Sequence, residues 1–229
     1  MTKPIVSLSF DDGWKSAIQN AFPLLQKFEV PATFYIISNC LDDEKFPQYM
    51  NMADLKTLER HGHEIGSHTR SHQHLPDLSE KDIWEEIAGG LEDLCSHGFS
   101  SRTFAYPYGE WNPHIVKQVR EAGFFAARSI ERGTNDKKTN PFLLRANGVR
   151  EEHSAEQIIS LVDDTAQKEG WTILYFHQIE KAEMLRQNKW IYGTTPEVLE
   201  KILYHIRNQN LRVMTIADGM SQLVKYALY

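Results

Sequence analysis

The sequence predicts an α/β fold with parallel strands, either a barrel or a doubly wound sheet, and three features carry that expectation. Short apolar runs of strand length alternate with helical stretches about seven times along the chain. Gly, Pro or helix-capping residues punctuate many of the junctions. No repeat, low-complexity stretch or convincing linker divides the 229 residues. Residues 1–229 therefore read as a single domain, long enough to bury a core without disulfides.

The elements follow in order. Residues 5–10 read as a buried strand and residues 15–28 as a helix. Pro31 precedes a second apolar strand over residues 32–37. Leu55 and Leu58 give helical spacing to residues 51–60, and a short strand at 64–67 follows His61-Gly62-His63. Ser79 is an N-cap, and Ile83, Ile87, Leu91 and Leu94 form the apolar stripe of the helix behind it. Residues 103–106 are the next strand. Pro113 suits the first turn of a helix that ends before Gly123. Residues 124–128 and 143–147 are extended, and a helix over 154–168 stops at Gly170. Residues 172–176 form a strong strand. Pro196 opens another helix, residues 212–216 are a strand, and a last helix closes the chain.

Composition excludes several classes. Hydrophobic residues at 41% and charged residues at 24% are ordinary for a soluble globular chain. A formal net charge of −6, with no block of Lys or Arg, argues against a broad nucleic-acid surface. No apolar run is long enough to span a membrane. Met1 leads through Thr-Lys-Pro directly into strand-like residues, so no signal peptide is visible. The expected location is the cytoplasm, or the exterior if this is the trimmed form of an exported protein. Cys40 and Cys95 lack CxxC spacing and read as two buried or half-buried thiols. No feature of the chain sets an oligomeric state.

Polar residues stand directly after four of the strands. Asp11-Asp12-Gly13 follows the first, and His68 through His72 follows residues 64–67. Pro107-Tyr108-Gly109 follows residues 103–106, and His177 follows residues 172–176. In parallel α/β folds the carboxyl ends of the strands share one rim, so these groups should converge. His68 and His72 are four apart, a spacing that places two imidazoles on one side of a helical turn. Two neutral imidazoles and a carboxylate suit zinc or a similar divalent ion, with a position left for water. Adjacent carboxylates on an extended segment point opposite ways, so one of Asp11 and Asp12 would ligate and the other would be free to act as a base. Each motif alone is common: HxxxH pairs are often surface residues, and Asp-Asp-Gly often forms a turn. His61, His63 and His74 read as turn or surface residues.

Together, these residues resemble a known family. Ser9-Phe10-Asp11-Asp12-Gly13, His68 to His72, Phe104-Ala-Tyr-Pro107-Tyr108-Gly109 and Leu174-Tyr-Phe-His177 occur in the order found in the NodB-type polysaccharide deacetylases, carbohydrate esterase family four. The stretch from His63 to His68 and the segments around Thr195-Pro-Glu and Val213-Met-Thr215 are similar too. The resemblance covers nearly the whole chain and implies a distorted (β/α) barrel of about seven parallel strands. It implies a hydrolase that removes acetyl groups from the amino sugars of a polysaccharide, with one divalent ion, zinc first and Co, Ni or Mn as alternatives. Asp12, His68 and His72 are then the metal ligands, Asp11 the general base and His177 the acid that protonates the departing amine. The Tyr108 backbone N–H is the oxyanion donor, and Leu174, on the strand face of Phe176, lines a pocket for the acetyl methyl. The form of the third motif resembles a subgroup acting on poly-N-acetylglucosamine and related bacterial polymers.

Two departures from that pattern matter. Many members carry an Arg in the third motif that tethers the base, and Ala105 stands at that position here. Many also carry an Asp in a fourth motif that orients the acid histidine, and none is found near Ala127-Arg128-Ser129. Arg145, and after it Arg128, is the candidate for the missing cation; Glu131 or Asp136 is the candidate for orienting His177. Of Trp14, Trp111 and Trp190, Trp111 is the favoured sugar contact, although Trp is more often packing. Two further readings stay open: an amidohydrolase of the same fold acting on a small cyclic amide or another N-acyl group, and a catalytically silent sugar-binding member.

Overall fold

In a computed structural model, which describes residues 4–42 and 44–227, strand β1 (Ile5–Phe10) is buried along its whole length. All six of its residues pair with β7 (Trp171–Phe176), from Ile5 opposite Trp171 to Phe10 opposite Phe176. Two strands share its other edge. β2 (Thr33–Ile36) pairs with Ser9 and Phe10, and β8 (Arg212–Val213) pairs with Ile5 and Val6. Beyond β2 lie β3 (Glu64–Ser67), β4 (Thr103–Ala105) and β5 (Ala126–Arg128); β6 (Asn147–Gly148) flanks β7. The order is β5-β4-β3-β2-β1-β7-β6, and every pairing is parallel. Leu144 bridges Arg128 of β5, while Asn147 pairs with Leu174 of β7. One extended stretch thus reaches from one end of the sheet to the other and makes the distorted barrel that the sequence led us to expect.

Strand alternation sorts the side chains into two layers. Tyr35, Ala105, Leu144, Ile173 and Tyr175 belong to the cluster inside the barrel. Leu8, Phe10, Phe34, Leu174 and Phe176 face outward and pack against helices. α1 (Phe22–Phe28), α2 (Met52–Arg60), α5 (Ala155–Gln167) and α7 (Pro196–Asn208) cover that outer layer. α3 (Glu80–Ser96) and α4 (Pro113–Glu121) cover a third cluster around Phe104 and Ala127. Each fully buried Leu, Ile or Phe contributes about 1.5–3 kcal/mol. α8 (Ile216–Ala227) closes the amino-terminal end of the barrel. There the Ile216 N–H donates to Thr33 Oγ1, the Ala217 N–H donates to Glu64, and Ile216 and Met220 join the inner cluster. The opposite end, where the strands finish, stays open.

Capping residues fix where the helices begin. Asn51 with Asp54, and Ser154 with Gln157, form reciprocal capping boxes. Ser79, Asn112 and Thr195 accept from backbone N–H groups three residues on.

Several local expectations change. The helix expected over 15–28 is a π-helical turn, Ala17–Ala21, followed by α1, and Pro23 in the first turn of α1 has no N–H to continue the ladder. The strand expected over 212–216 ends at Val213, because Ile216 already starts α8. A short helix, α6 (Ala182–Asn188), was not anticipated; Leu185 is its one buried residue, so it carries no apolar stripe. His63 is buried rather than at the surface, and its Nδ1 accepts from the Ala32 N–H. Neither cysteine is in a disulfide; Cys40 is half-buried, and Cys95 is exposed rather than buried or half-buried. Among the described residues, no helix is long and apolar enough to cross a membrane.

Candidate active site

The open rim gathers the polar residues that follow the strands. Asp11, Asp12, His68, His72, Tyr108 and His177 all line one cavity of about 350 Å³. The β1–β7 ladder continues past Phe10, with the Asp11 N–H donating to the Phe176 carbonyl, so Asp11 and His177 emerge side by side.

Asp12, His68 and His72 form a compact donor set. Asp12 Oδ1 lies 3.4 Å from His68 Nε2 and 3.5 Å from His72 Nε2, and the two Nε2 atoms are 3.2 Å apart. A tetrahedral ion with bonds of about 2.0–2.1 Å holds its donor atoms about 3.3–3.4 Å apart, so the triangle fits such an ion. Asp12 Oδ1 is buried and has no hydrogen-bond partner, which is costly unless a cation meets it. These three residues are the one metal-type cluster among the described residues.

Neighbouring groups orient each ligand. The His68 Nδ1 is 2.8 Å from the Ala105 carbonyl oxygen, which can only accept; Nδ1 therefore holds the proton and Nε2 presents its lone pair. Trp14 Nε1–H donates to Asp12 Oδ2 at 2.8 Å. Burial pushes the Asp12 carboxyl upward, but His68, His177 and His72 more than offset this and hold it well below the usual carboxylate range. Burial, with His68 beside it, pushes the His72 imidazole down to about 4, so it is neutral and free to ligate near pH 7.

The local backbone differs from the helical turn expected between the histidines. Residues 68–72 are a loop in which Thr69 (φ 66°) and His72 (φ 58°) are both left-handed, and the His72 N–H donates to Thr69 Oγ1 at 2.9 Å. Asp12 (φ 70°) and Tyr108 (φ 57°) are left-handed too. Each such residue costs about 1–3 kcal/mol, and a β-branched Thr is especially unfavourable there. Three of them, Asp12, His72 and Tyr108, line the cavity, and Thr69 directly follows the cavity residue His68, where a loose arrangement would relax.

The base candidate is held by Arg128, which corrects the order of candidates read from the sequence. Arg128 Nη2 donates to Asp11 Oδ1 inside the barrel, with Arg128 fully buried and Asp11 3% exposed. Its guanidinium carbon lies 4.9 Å from the Tyr175 ring centre and 5.2 Å from that of Tyr35. Burial disfavours its charge, but Asp11, Tyr35 and Tyr175 hold the guanidinium above its ordinary value. Arg145 points elsewhere: Leu144 is the inward residue bridging Arg128, so the next side chain turns out, exposed, over Gly133.

Other candidates also move. Leu174 is fully buried in the outer layer and does not line the cavity, because alternation sends Tyr175, not Leu174, inward with His177. Trp111 packs partly buried against the Phe104 cluster, away from the cavity wall. Trp14 lines the wall instead, stacked on Tyr49 at 4.7 Å and 6.0 Å from Trp190. Glu131 and Asp136 are both exposed; Asp136 accepts from Lys138 and Thr139 in its own turn. His177 instead faces the Tyr192 ring at 5.5 Å. The Tyr108 ring stacks on His74 at 3.9 Å and meets His72 edge-on at 4.5 Å. The N–H groups of Gly109 and Glu110 are used within that turn, by Tyr106 and Pro107.

Ile130, Arg150, Tyr175, Gln178 and Tyr192 line the cavity without having been singled out in the sequence. Arg150 could have been found, since it stands just past an extended stretch, as the other site residues do. Tyr192 sits after α6, where no periodic pattern points to it.

Comparisons with known proteins bear on the same residues. A family model described as polysaccharide deacetylase matches residues 1–127, a span that includes Asp11, Asp12, His68, His72 and Tyr108 and stops short of Arg128 and His177. Over 155 residues the chain is 26% identical to the poly-beta-1,6-N-acetyl-D-glucosamine N-deacetylase of Staphylococcus aureus (strain MSSA476), covering 62% of this chain and 53% of that protein. The chain spans about half the length of the curated relatives it matches. A crystal structure of a polysaccharide deacetylase from Bacillus cereus is 25% identical, with a TM-score of 0.61 over 68% of this chain and 50% of that one. A family 4 acetyl xylan esterase from Clostridium thermocellum, solved with a cobalt ion, is similar in fold at 20% identity, with a TM-score of 0.66 over 95% of this chain and 91% of the other.

Proposed function

The chain belongs to the polysaccharide deacetylase family, and from that premise we propose that it is a metal-dependent N-deacetylase acting on N-acetylated amino sugars of a polysaccharide. Poly-N-acetylglucosamine is the first candidate polymer, given the Staphylococcus aureus relative; a chitin-like polymer and peptidoglycan follow. The observation that carries the reading is the Asp12–His68–His72 triangle set beside Asp11 and His177 in one cavity. That full set also argues against a silent binding member.

The three ligands suit zinc, with cobalt, nickel or manganese as alternatives. A divalent ion there supplies Lewis-acid polarisation of the acetyl carbonyl and lowers the pKa of a water toward ~7. Asp11 takes the proton of the attacking water. Arg128 pairs with Asp11 and aims its carboxylate. The Tyr108 N–H is the donor for the developing oxyanion. His177, next to Asp11 at the end of β7, gives a proton to the amine as the C–N bond breaks. Trp14 and Tyr192 offer ring faces to the sugar on either side.

The test is acetate release from chito-oligosaccharides, poly-N-acetylglucosamine and peptidoglycan, with zinc or cobalt added and with chelator. Release that needs metal supports the reading. A metal-loaded chain that frees acetate from none of the three counts against it and favours a smaller amide.

A further inference from the structure

Between the two histidine ligands lie Thr69, Arg70 and Ser71, and α3 binds this stretch through specific bonds. The Ser71 N–H donates to Glu86 Oε2 at 2.8 Å, and the Ser71 hydroxyl donates to Glu86 Oε1 at 2.5 Å. The Arg70 N–H donates to the Glu86 carbonyl at 3.0 Å. Further along the helix, Asp93 accepts two bonds from the Arg70 guanidinium, at 2.9 and 3.0 Å, and one from the Ser38 hydroxyl at 2.6 Å. Glu86 therefore takes both donors of Ser71 on its carboxylate and the Arg70 N–H on its backbone.

The helix reaches the loop because two glycines face it. A Cβ on Gly90 would lie 2.8 Å from the Thr69 carbonyl carbon, and one on Gly89 would lie 2.6 Å from the Arg70 guanidinium carbon. Adjacent glycines weaken a helix interior, so their place in α3 is tied to this close approach. The loop they admit is not one that relaxes into its shape unaided, since Thr69 and His72 are both left-handed.

We propose that Glu86 is a positioning residue for the metal centre. It holds residues 69–71 so that His68 and His72 keep their Nε2 atoms at ligand spacing, and it sets metal affinity without touching the ion. Groups that orient ligands in this way typically change metal affinity 10- to 100-fold when removed. This inference rests on the metal reading of Asp12, His68 and His72. The competing account is ordinary helix–loop packing, which would support the fold and leave affinity alone.

The experiment compares the full chain with Glu86→Gln and Glu86→Ala. Zinc and cobalt affinities are measured by competition with a chromophoric chelator, the cobalt absorption bands are recorded, and the metal-free proteins are melted. Gln can still accept from the Ser71 N–H and meet its hydroxyl, so Glu86→Gln should bind within about threefold of the parent. Glu86→Ala should bind about tenfold or more weakly, with altered cobalt bands and a metal-free melting temperature close to the parent's. If Glu86→Ala does not fold, Ser71→Ala removes the 2.5 Å bond alone and should weaken binding several-fold. Parental affinity in Glu86→Ala and Ser71→Ala, or a fall in their metal-free melting temperature with affinity intact, overturns the inference. If the parent chain binds neither ion, the metal reading fails and this inference falls with it.

Discussion

The Arg128 guanidinium meets the Asp11 carboxylate inside the barrel, and Arg128 is the register partner of Ala105 on the neighbouring strand. Register partners on parallel strands point to the same face. The cation that the family resemblance places at Ala105 is thus supplied one strand over, from β5. The exchange works because Ala105 is small and because Tyr35 and Tyr175 flank the guanidinium.

That pairing predicts a large, coupled stability effect. Arg128→Met leaves a carboxylate buried without a cation and should lose about 3–5 kcal/mol of unfolding free energy in denaturant melts. Adding Asp11→Asn should recover much of the loss, since the pair is then replaced rather than broken. Losses that simply add in the double variant would show that the two residues are not coupled.

Base and ligand roles separate in a second pair of variants. Asp11→Asn should keep metal binding by titration calorimetry and lose at least about 100-fold in acetate release. His68→Ala should lose the metal. Full turnover in Asp11→Asn would contradict the base assignment.

Trp14 should tune the metal through Asp12. Trp14→Phe keeps a ring to stack on Tyr49 but removes the 2.8 Å bond to Asp12 Oδ2. Zinc affinity should fall about tenfold, with the fold intact by circular dichroism. Unchanged affinity would make Trp14 a wall residue only.

His63 should contribute an acid-sensitive component to stability. Burial, with a smaller push from His61, lowers its imidazole from the ordinary 6.5 to about 4. Between those values the unfolded chain binds a proton that the folded chain does not, so stability falls as pH drops from 6.5 toward 4. The contribution is fully present above pH 6.5. His63→Gln can accept the same Ala32 N–H and should flatten the dependence of melting temperature on pH across that window. An identical slope in the variant would count against the shift.

The sequence by itself determined the strand-helix alternation, which left a parallel barrel or a doubly wound sheet open until the family resemblance favoured the barrel, and the identity of Asp11, Asp12, His68, His72 and His177 as the groups at strand ends. Those features are local: apolar runs, caps and the polar residue that follows a strand are all encoded within a few neighbours. Only the tertiary structure decided which cation meets Asp11, because the choice between Arg128 and Arg145 depends on cross-strand register and on which residue of an extended stretch turns inward. It also placed Leu174 in the outer layer and Trp111 against the Phe104 cluster, and brought Tyr192 and Arg150 to the cavity. These positions are set by contacts between residues far apart in the chain, such as Arg128 with Asp11, and no local pattern reports them. The same holds for the loop between His68 and His72. Its spacing suggests a helical turn, and bonds from α3 hold it in another shape.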